Sequence, residues 1–214
     1  MAGPKKAGDI TDDERRYGTS DLELITALKE QEAVEMEKKA ETYGGAIAFW
    51  TRDMTSVFGG EDLSPQPHEV ISKLESHLPI NGHETFRVNL TRFFLEEQGK
   101  PAIIRIIPKD FIGPNGAVFP TEQISIKYQR SIFDFNELIP CDEITLALEE
   151  TQSLWISIYS GDVLPGTYRG SIQFISDGGT ERELPIDIEV WPIRLPDQPV
   201  MGLNMYSAGI GFLN

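Results

Sequence analysis

Cysteine is nearly absent. Cys141 is the single thiol of the 214-residue chain, so no internal disulfide can form and the fold must be held by its core. Basic residues are few: 19 Lys and Arg stand against 34 Asp and Glu, a net charge of −15. Such a chain is repelled by phosphate backbones and anionic lipid, so neither nucleic acid nor membrane insertion is expected. No apolar run approaches the roughly 18 residues of a spanning helix. The first twenty residues carry two lysines but no apolar h-region, so they are not a secretory signal. No internal repeat, low-complexity tract or Gly-x-Ser-x-Gly nucleophile elbow occurs. Gly166-x-x-x-Gly170 sits in a strand pattern and opens no helix, so it is not a phosphate loop.

What is present is alternation. From Leu154 to Pro196 the chain reads as three strands and two turns. Leu154, Ile156 and Ile158 share one face of the first, and Trp155, Ser157 and Tyr159 the other. The second sets Tyr168, Gly170, Ile172 and Phe174 against Arg169, Ser171 and Gln173. The third sets Leu184, Ile186, Ile188 and Val190 against Glu183, Asp187 and Glu189. Gly161-Asp162, Leu164-Pro165-Gly166 and Asp177-Gly178-Gly179 supply the turns. One apolar and one polar face per strand marks antiparallel sheet covered on one side.

The remaining chain extends this pattern. Residues 1–19 are polar and read as a disordered tail. Ser20 and Glu23 form a capping box, and a helix follows to about Thr42, stopped at Gly44-Gly45. Its stripe of Leu24, Ile25, Leu28, Val34, Met36 and Ala40 is imperfect; it suits packing on a neighbouring layer better than a coiled coil. Gly45 to Phe58 reads as two short strands broken at Thr51-Arg52-Asp53. His68 to Pro79 fits helix or strand alike, because Val70, Leu74 and Leu78 recur every four residues and also alternate with Ser72 and Ser76. Glu84 to Leu95 alternates Phe86, Val88 and Leu90 with Arg87, Asn89 and Thr91. Pro101 to Pro108, rich in isoleucine, reads as a strand buried near the sheet centre. After a turn at Gly113–Gly116 come Ile124, Ile126 and Tyr128, an irregular stretch from Ser131 to Asp142, and a strand from Glu143 to Leu148. About eight or nine strands with no helix between them predict an all-β antiparallel β-sandwich, immunoglobulin-like, over residues 45–196. An N-terminal α-helix (20–44) and a short C-terminal stub (197–214) complete the chain.

Trp155, Pro165, Gly166, Tyr168, Gly170, Val190, Trp191, Leu195 and Pro196 also carry a likeness. The stretch resembles the closing strands of the β-sandwich ahead of the catalytic barrel in bacterial glycoside hydrolases of the β-N-acetylgalactosaminidase type and their uncharacterised relatives. Gly82-His83-Glu84-Thr85-Phe86 resembles the family's entry to a strand, and Ile107-Pro108-Lys109-Asp110-Phe111, Gly113-Pro114-Asn115-Gly116 and Ile124 to Tyr128 fit its next hairpin, so the likeness runs from Gly45 to Pro196. It favours a strand for His68 to Pro79. It implies a non-catalytic accessory module whose partner is a C-terminal barrel of the same parent protein. Relatives of this kind are commonly exported, so the chain is either cytoplasmic or has its signal outside the given sequence. Val200 to Tyr206, after the Pro-rich linker Leu195–Pro199, would be the barrel's first strand; a loose tail or added edge strand fits equally. The Asp-Glu pair of such enzymes, assisted by the substrate's N-acetyl group, belongs to the barrel.

Candidate chemistry is sparse. His68, His77 and His83 have spacings that match no metal motif. Asp142-Glu143 and Glu149-Glu150 are neighbours that a strand would point to opposite faces, unlike a glycosidase pair. Cys141 lies among acids that disfavour its thiolate. Trp50, Trp155 and Trp191 suit packing, interdomain contact or, less well, stacking on sugar. Asn89-Leu90-Thr91 matches a glycosylation sequon. Trp155, Tyr159, Trp191 and Tyr206 are the candidate interdomain or sugar-contact residues. No cofactor is expected; glycan is the one small partner class left open, as the ligand of a free-standing carbohydrate- or protein-binding module.

Overall fold

In a computed structural model the chain forms two stacked sheets with one helix against an end. The structure describes residues 19–52, 64–95, 99–132 and 135–197. The expectations for residues 1–18, for a second short strand after Arg52, for Val200–Tyr206 and for Tyr206 as a contact residue lie outside the described residues.

Helix α1 spans Thr19–Thr42. It begins two residues earlier than a Ser20 cap requires, so Ser20 lies inside the helix rather than at its cap. It stops where expected. Gly44 (φ 78°) and Gly45 (φ 149°) take left-handed backbone, and Gly45 N–H closes on Ala40 O at 2.7 Å. A Cβ at Gly45 would lie 1.6 Å from Arg182 Nη1, whose guanidinium donates to Gly44 O. Among its described side chains, the helix packs through its second half. Met36, Ala40 and Tyr43 meet Ala48 and Phe93, with the Tyr43 and Phe93 rings stacked at 5.0 Å, while Leu24, Leu28 and Val34 stay exposed.

The strands run in order β1 (Ile47–Trp50), β2 (Leu74–Ile80), β3 (His83–Arg92), β4 (Ala102–Pro108), β5 (Phe111–Ile112) and β6 (Val118–Phe119). Then come β7 (Ile124–Ile132), β8 (Phe135–Pro140), β9 (Glu143–Leu146), β10 (Thr151–Tyr159), β11 (Gly166–Ser176) and β12 (Glu181–Arg194). One sheet has the order β1-β3-β10-β7-β8; the other has β2-β12-β11-β4-β9, with β5 and β6 attached to β11. All pairs are antiparallel except β2 with β12, which run parallel. The all-β sandwich therefore stands, with twelve strands among the described residues rather than eight or nine. The difference comes from the two-residue β5 and β6, and from β8, which orders part of the stretch that lacked alternation.

The three-strand reading holds residue by residue: Leu154, Ile156, Ile158, Tyr168, Ile172, Phe174, Leu184, Ile186, Ile188 and Val190 are all buried. They meet Ile47, Phe49, Val88, Leu90, Ile104 and Ile106 in one core between the sheets. Burying each such side chain contributes about 2 kcal/mol. Two expectations change. Strand β4 is covered on one face only, since Ile103 and Arg105 point out between buried Ala102, Ile104 and Ile106. Of the segment from His68 to Pro79, only the part from Leu74 is strand; Pro67–Glu69 is a 3-10 turn, and Val70 makes a lone bridge to Trp50.

Candidate functional site: the exit corner

Three chain segments meet where the polypeptide leaves the sandwich. The β2–β3 turn is Asn81-Gly82, with Asn81 in left-handed backbone (φ 61°). Asn81 N–H donates to Gly161 O in the β10–β11 turn at 2.7 Å. Ser160, fully buried, accepts from Gly82 N–H at 2.8 Å and donates to Pro79 O at 2.6 Å. Tyr159 Oη donates to Asn81 Oδ1 at 2.6 Å, and its ring stacks on His83 at 4.3 Å. Asn81 Nδ2 in turn donates to Leu195 O at 3.2 Å. Leu195 N–H donates to Ile80 O at 2.9 Å, and Arg194 pairs with Asp162 and with Asp197. The departing chain is thus fixed by backbone and side-chain bonds on both sides.

Apolar side chains at this end remain in water. Leu164 is 65% exposed, Ile193 60% and Trp191 42%. Beside the corner an open cleft of about 550 Å³ runs between Val118, Pro120, Gln123, Tyr159 and Leu164. Gln123 Oε1 is buried with no hydrogen-bond partner. Tyr168 donates to Leu164 O at 2.8 Å, and burial raises its phenol pKa.

The structure brings Tyr159 into this corner, leaves Trp191 exposed at the same end and sets Trp155 apart on the first sheet. Trp155 lies half-buried on the outer face of the first sheet, with Nε1 donating to Gln129 Oε1 at 3.1 Å. Trp191 lies on the outer side of β12, its ring 6.3 Å from that of His77. Trp50 is fully buried and donates to Thr91 Oγ1 at 2.9 Å. Asn81, the hub of the corner, was missed. The Asn-Gly pair does mark a turn that needs positive φ, and that signal was available.

The other candidates are placed as follows. His77 meets Glu189 at 2.8 Å, His83 stacks on Tyr159, and His68 sits in the 3-10 turn. Among the described residues no three of His, Cys, Asp and Glu converge. Cys141 is half-buried, and its thiol pKa is raised first by burial and only then by Asp142. Asn89 and Thr91 of the sequon are buried on a paired strand, which closes the site to modification in the folded chain. The polar side of β3 is buried at Arg87, Asn89 and Thr91. Those side chains form a ladder with Ser153, Thr151 and Trp50.

The chain is similar in structure to a family 123 glycoside hydrolase from Clostridium perfringens, at 17% identity and a TM-score of 0.49, over 59% of this chain and 24% of that one. It is similar to a PapD-like domain of human CEP192 at 6% identity and a TM-score of 0.34, over 58% of this chain and 84% of that one. A beta-glucosidase from Listeria innocua matches at 14% identity and a TM-score of 0.30, over 58% and 16% of the two chains. The chain therefore spans about a quarter of the length of the clostridial hydrolase. No protein-family model and no curated protein matches the sequence.

Proposed function

We propose that this chain is the accessory β-sandwich module of a glycoside hydrolase-like protein, and that its work is to hold a following catalytic barrel in fixed orientation. The observation that carries this reading is the exit corner. A flexible tether needs no fixed departure angle, yet Arg194 to Asp197 are bonded to both neighbouring turns. Leu164, Trp191 and Ile193 stand exposed at the same end, as an interdomain contact requires. The sequence likeness from Gly45 to Pro196 supplies the class of the partner.

The test compares hydrogen exchange of this chain with that of the full-length gene product. Residues 191–195 and the turn at 161–165 are expected to exchange more slowly in the longer protein. Equal exchange in both, a gene product that adds no barrel, or turnover of N-acetylhexosaminides by this chain alone would overturn the reading.

A further inference from the structure

The two sheets differ sharply in the charge of their outer faces. On the second sheet, the register places Glu75, Glu143, Glu181, Glu183, Asp187 and Glu189 outward. On the first, the paired outward residues of β1, β3, β10, β7 and β8 include no Asp or Glu among the described residues. In a chain with 34 carboxylates this is a strong segregation. Helix α1 covers the end of this face around Ala48. The other half is open: Thr85 and Ser125 are exposed, and Ser157, Trp155, Lys127 and Gln129 are half-exposed.

Trp155 stands at the middle of the open half, and its cross-strand neighbours are the cations Arg87 and Lys127. Arg87 is 8% exposed. Its guanidinium makes one hydrogen bond, Nη2 to Ser153 Oγ at 3.3 Å, and its Nε has no partner. Arg52, the neighbouring guanidinium, already holds Glu69 at 2.5 Å. A desolvated cation without a carboxylate is costly unless an anion compensates it. The acids of the opposite sheet stand across the core, more than one sheet spacing of about 10 Å from these cations.

We infer that the open half of this face, around Trp155 and Lys127, binds an acidic saccharide, its pyranose ring on the indole and its carboxylate at Lys127, with the buried Arg87 guanidinium on the strand beside Trp155 adding to the local positive charge. Thr85, Ser157 and Gln129 supply the hydroxyl and amide groups that sugar hydroxyls pair with. An acidic peptide has the charge but no flat C–H surface for the indole, so the saccharide is the better match. This inference does not depend on the bracing role, which rests on the exit corner.

The test is calorimetric titration of the whole chain with hexagalacturonate, maltohexaose and poly-glutamate. Hexagalacturonate is expected to bind saturably, and about tenfold more weakly when salt is raised from about 0.05 to about 0.5 M. Lys127→Gln, a change on an open surface that leaves the fold intact, is expected to weaken it at least tenfold. Lys73→Gln, which removes the same charge from the opposite sheet, leaves it unchanged. Absence of saturation below about 10 mM, equal binding of maltohexaose or poly-glutamate, or equal losses in the two lysine variants would each overturn the inference.

Discussion

Asn81 reaches across 114 positions of sequence to hold Leu195: its Nδ2 donates to the Leu195 carbonyl at 3.2 Å, while its Oδ1 accepts from Tyr159. One side chain in a tight turn thereby sets where the chain departs. Asn81→Gly keeps the positive φ but loses both bonds, and is expected to cost about 1 kcal/mol. Asn81→Ala adds backbone strain and is expected to cost about 2 kcal/mol. Urea unfolding measures both. Hydrogen exchange at Leu195 should rise in the glycine variant before global stability is lost.

Arg92 is expected to be among the most sensitive positions. It is 1% exposed and donates to three backbone carbonyls: Phe94 at 2.9 Å, Lys100 at 3.0 Å and Leu146 at 2.8 Å. These bonds tie the end of β3 to the loop before β4 and to the end of β9. Arg92→Ala strands acceptors in a closed rim and opens a cavity, for a cost of about 3 kcal/mol or more. A loss under 1 kcal/mol, on the order of an ordinary surface change, would show that solvent replaces the guanidinium.

Gly170 tolerates no side chain. A Cβ there would lie 2.6 Å from the Phe111 ring and 2.8 Å from Asp110 O, and the second atom is backbone. Gly170→Ala must push the β5 segment off β11, at a cost on the order of 3 kcal/mol. Gly179→Ala is the contrasting case. Nothing lies within 4 Å of its added Cβ, so only the positive φ of 89° opposes it, for about 1 kcal/mol. The ratio of the two losses in thermal unfolding separates steric from backbone strain.

Acid weakens the fold through identifiable carboxylates. Arg52, by hydrogen bonding, holds Glu69 below its ordinary value of 4.5, and Lys73 holds Asp187 below 3.8. A lowered folded-state pKa gives stability that is present above the unfolded value and is lost as pH falls through the folded one. The stability gap between the native chain and Glu69→Gln is therefore expected to be widest near neutral pH. It should narrow as pH drops below 4.5. Urea midpoints across this range measure it; a gap that does not change with pH would mean that the Arg52 pair is not what couples acid to unfolding.

Arg87→Met exchanges a buried cation that has no carboxylate partner for an apolar chain of similar length. It is expected to leave stability unchanged or raise it by about 1 kcal/mol, and to weaken any saccharide bound on that face. A loss of stability would show that the Ser153 contact outweighs the cost of desolvation.

Much of the fold was legible in residue order alone. Period-two alternation from Leu154 to Val190 placed three strands and named their buried faces, because a strand's side chains have nowhere else to point. Gly44-Gly45 marked the helix stop for an equally local reason. The segments that misled lack such a local rule. Phe111–Ile112 and Val118–Phe119 are too short to show a period, and pair only because β11 offers an edge. Val70, Leu74 and Leu78 satisfy two periods at once, and pairing of β2 alongside β12 decides between them from Leu74 onward.

The candidate sites divide the same way. Sequence alone determined that the chain is acidic, has one thiol and carries aromatic residues on outward strand positions, since these follow from composition and alternation. Only tertiary structure decided that Tyr159 belongs with Asn81 and Leu195, that Trp155 and Trp191 face different ways, and that Arg87 and Lys127 flank Trp155 across neighbouring strands. Those facts depend on which strands pair and in what register, and pairing is settled by burying apolar faces against each other across the whole chain, which no local pattern encodes.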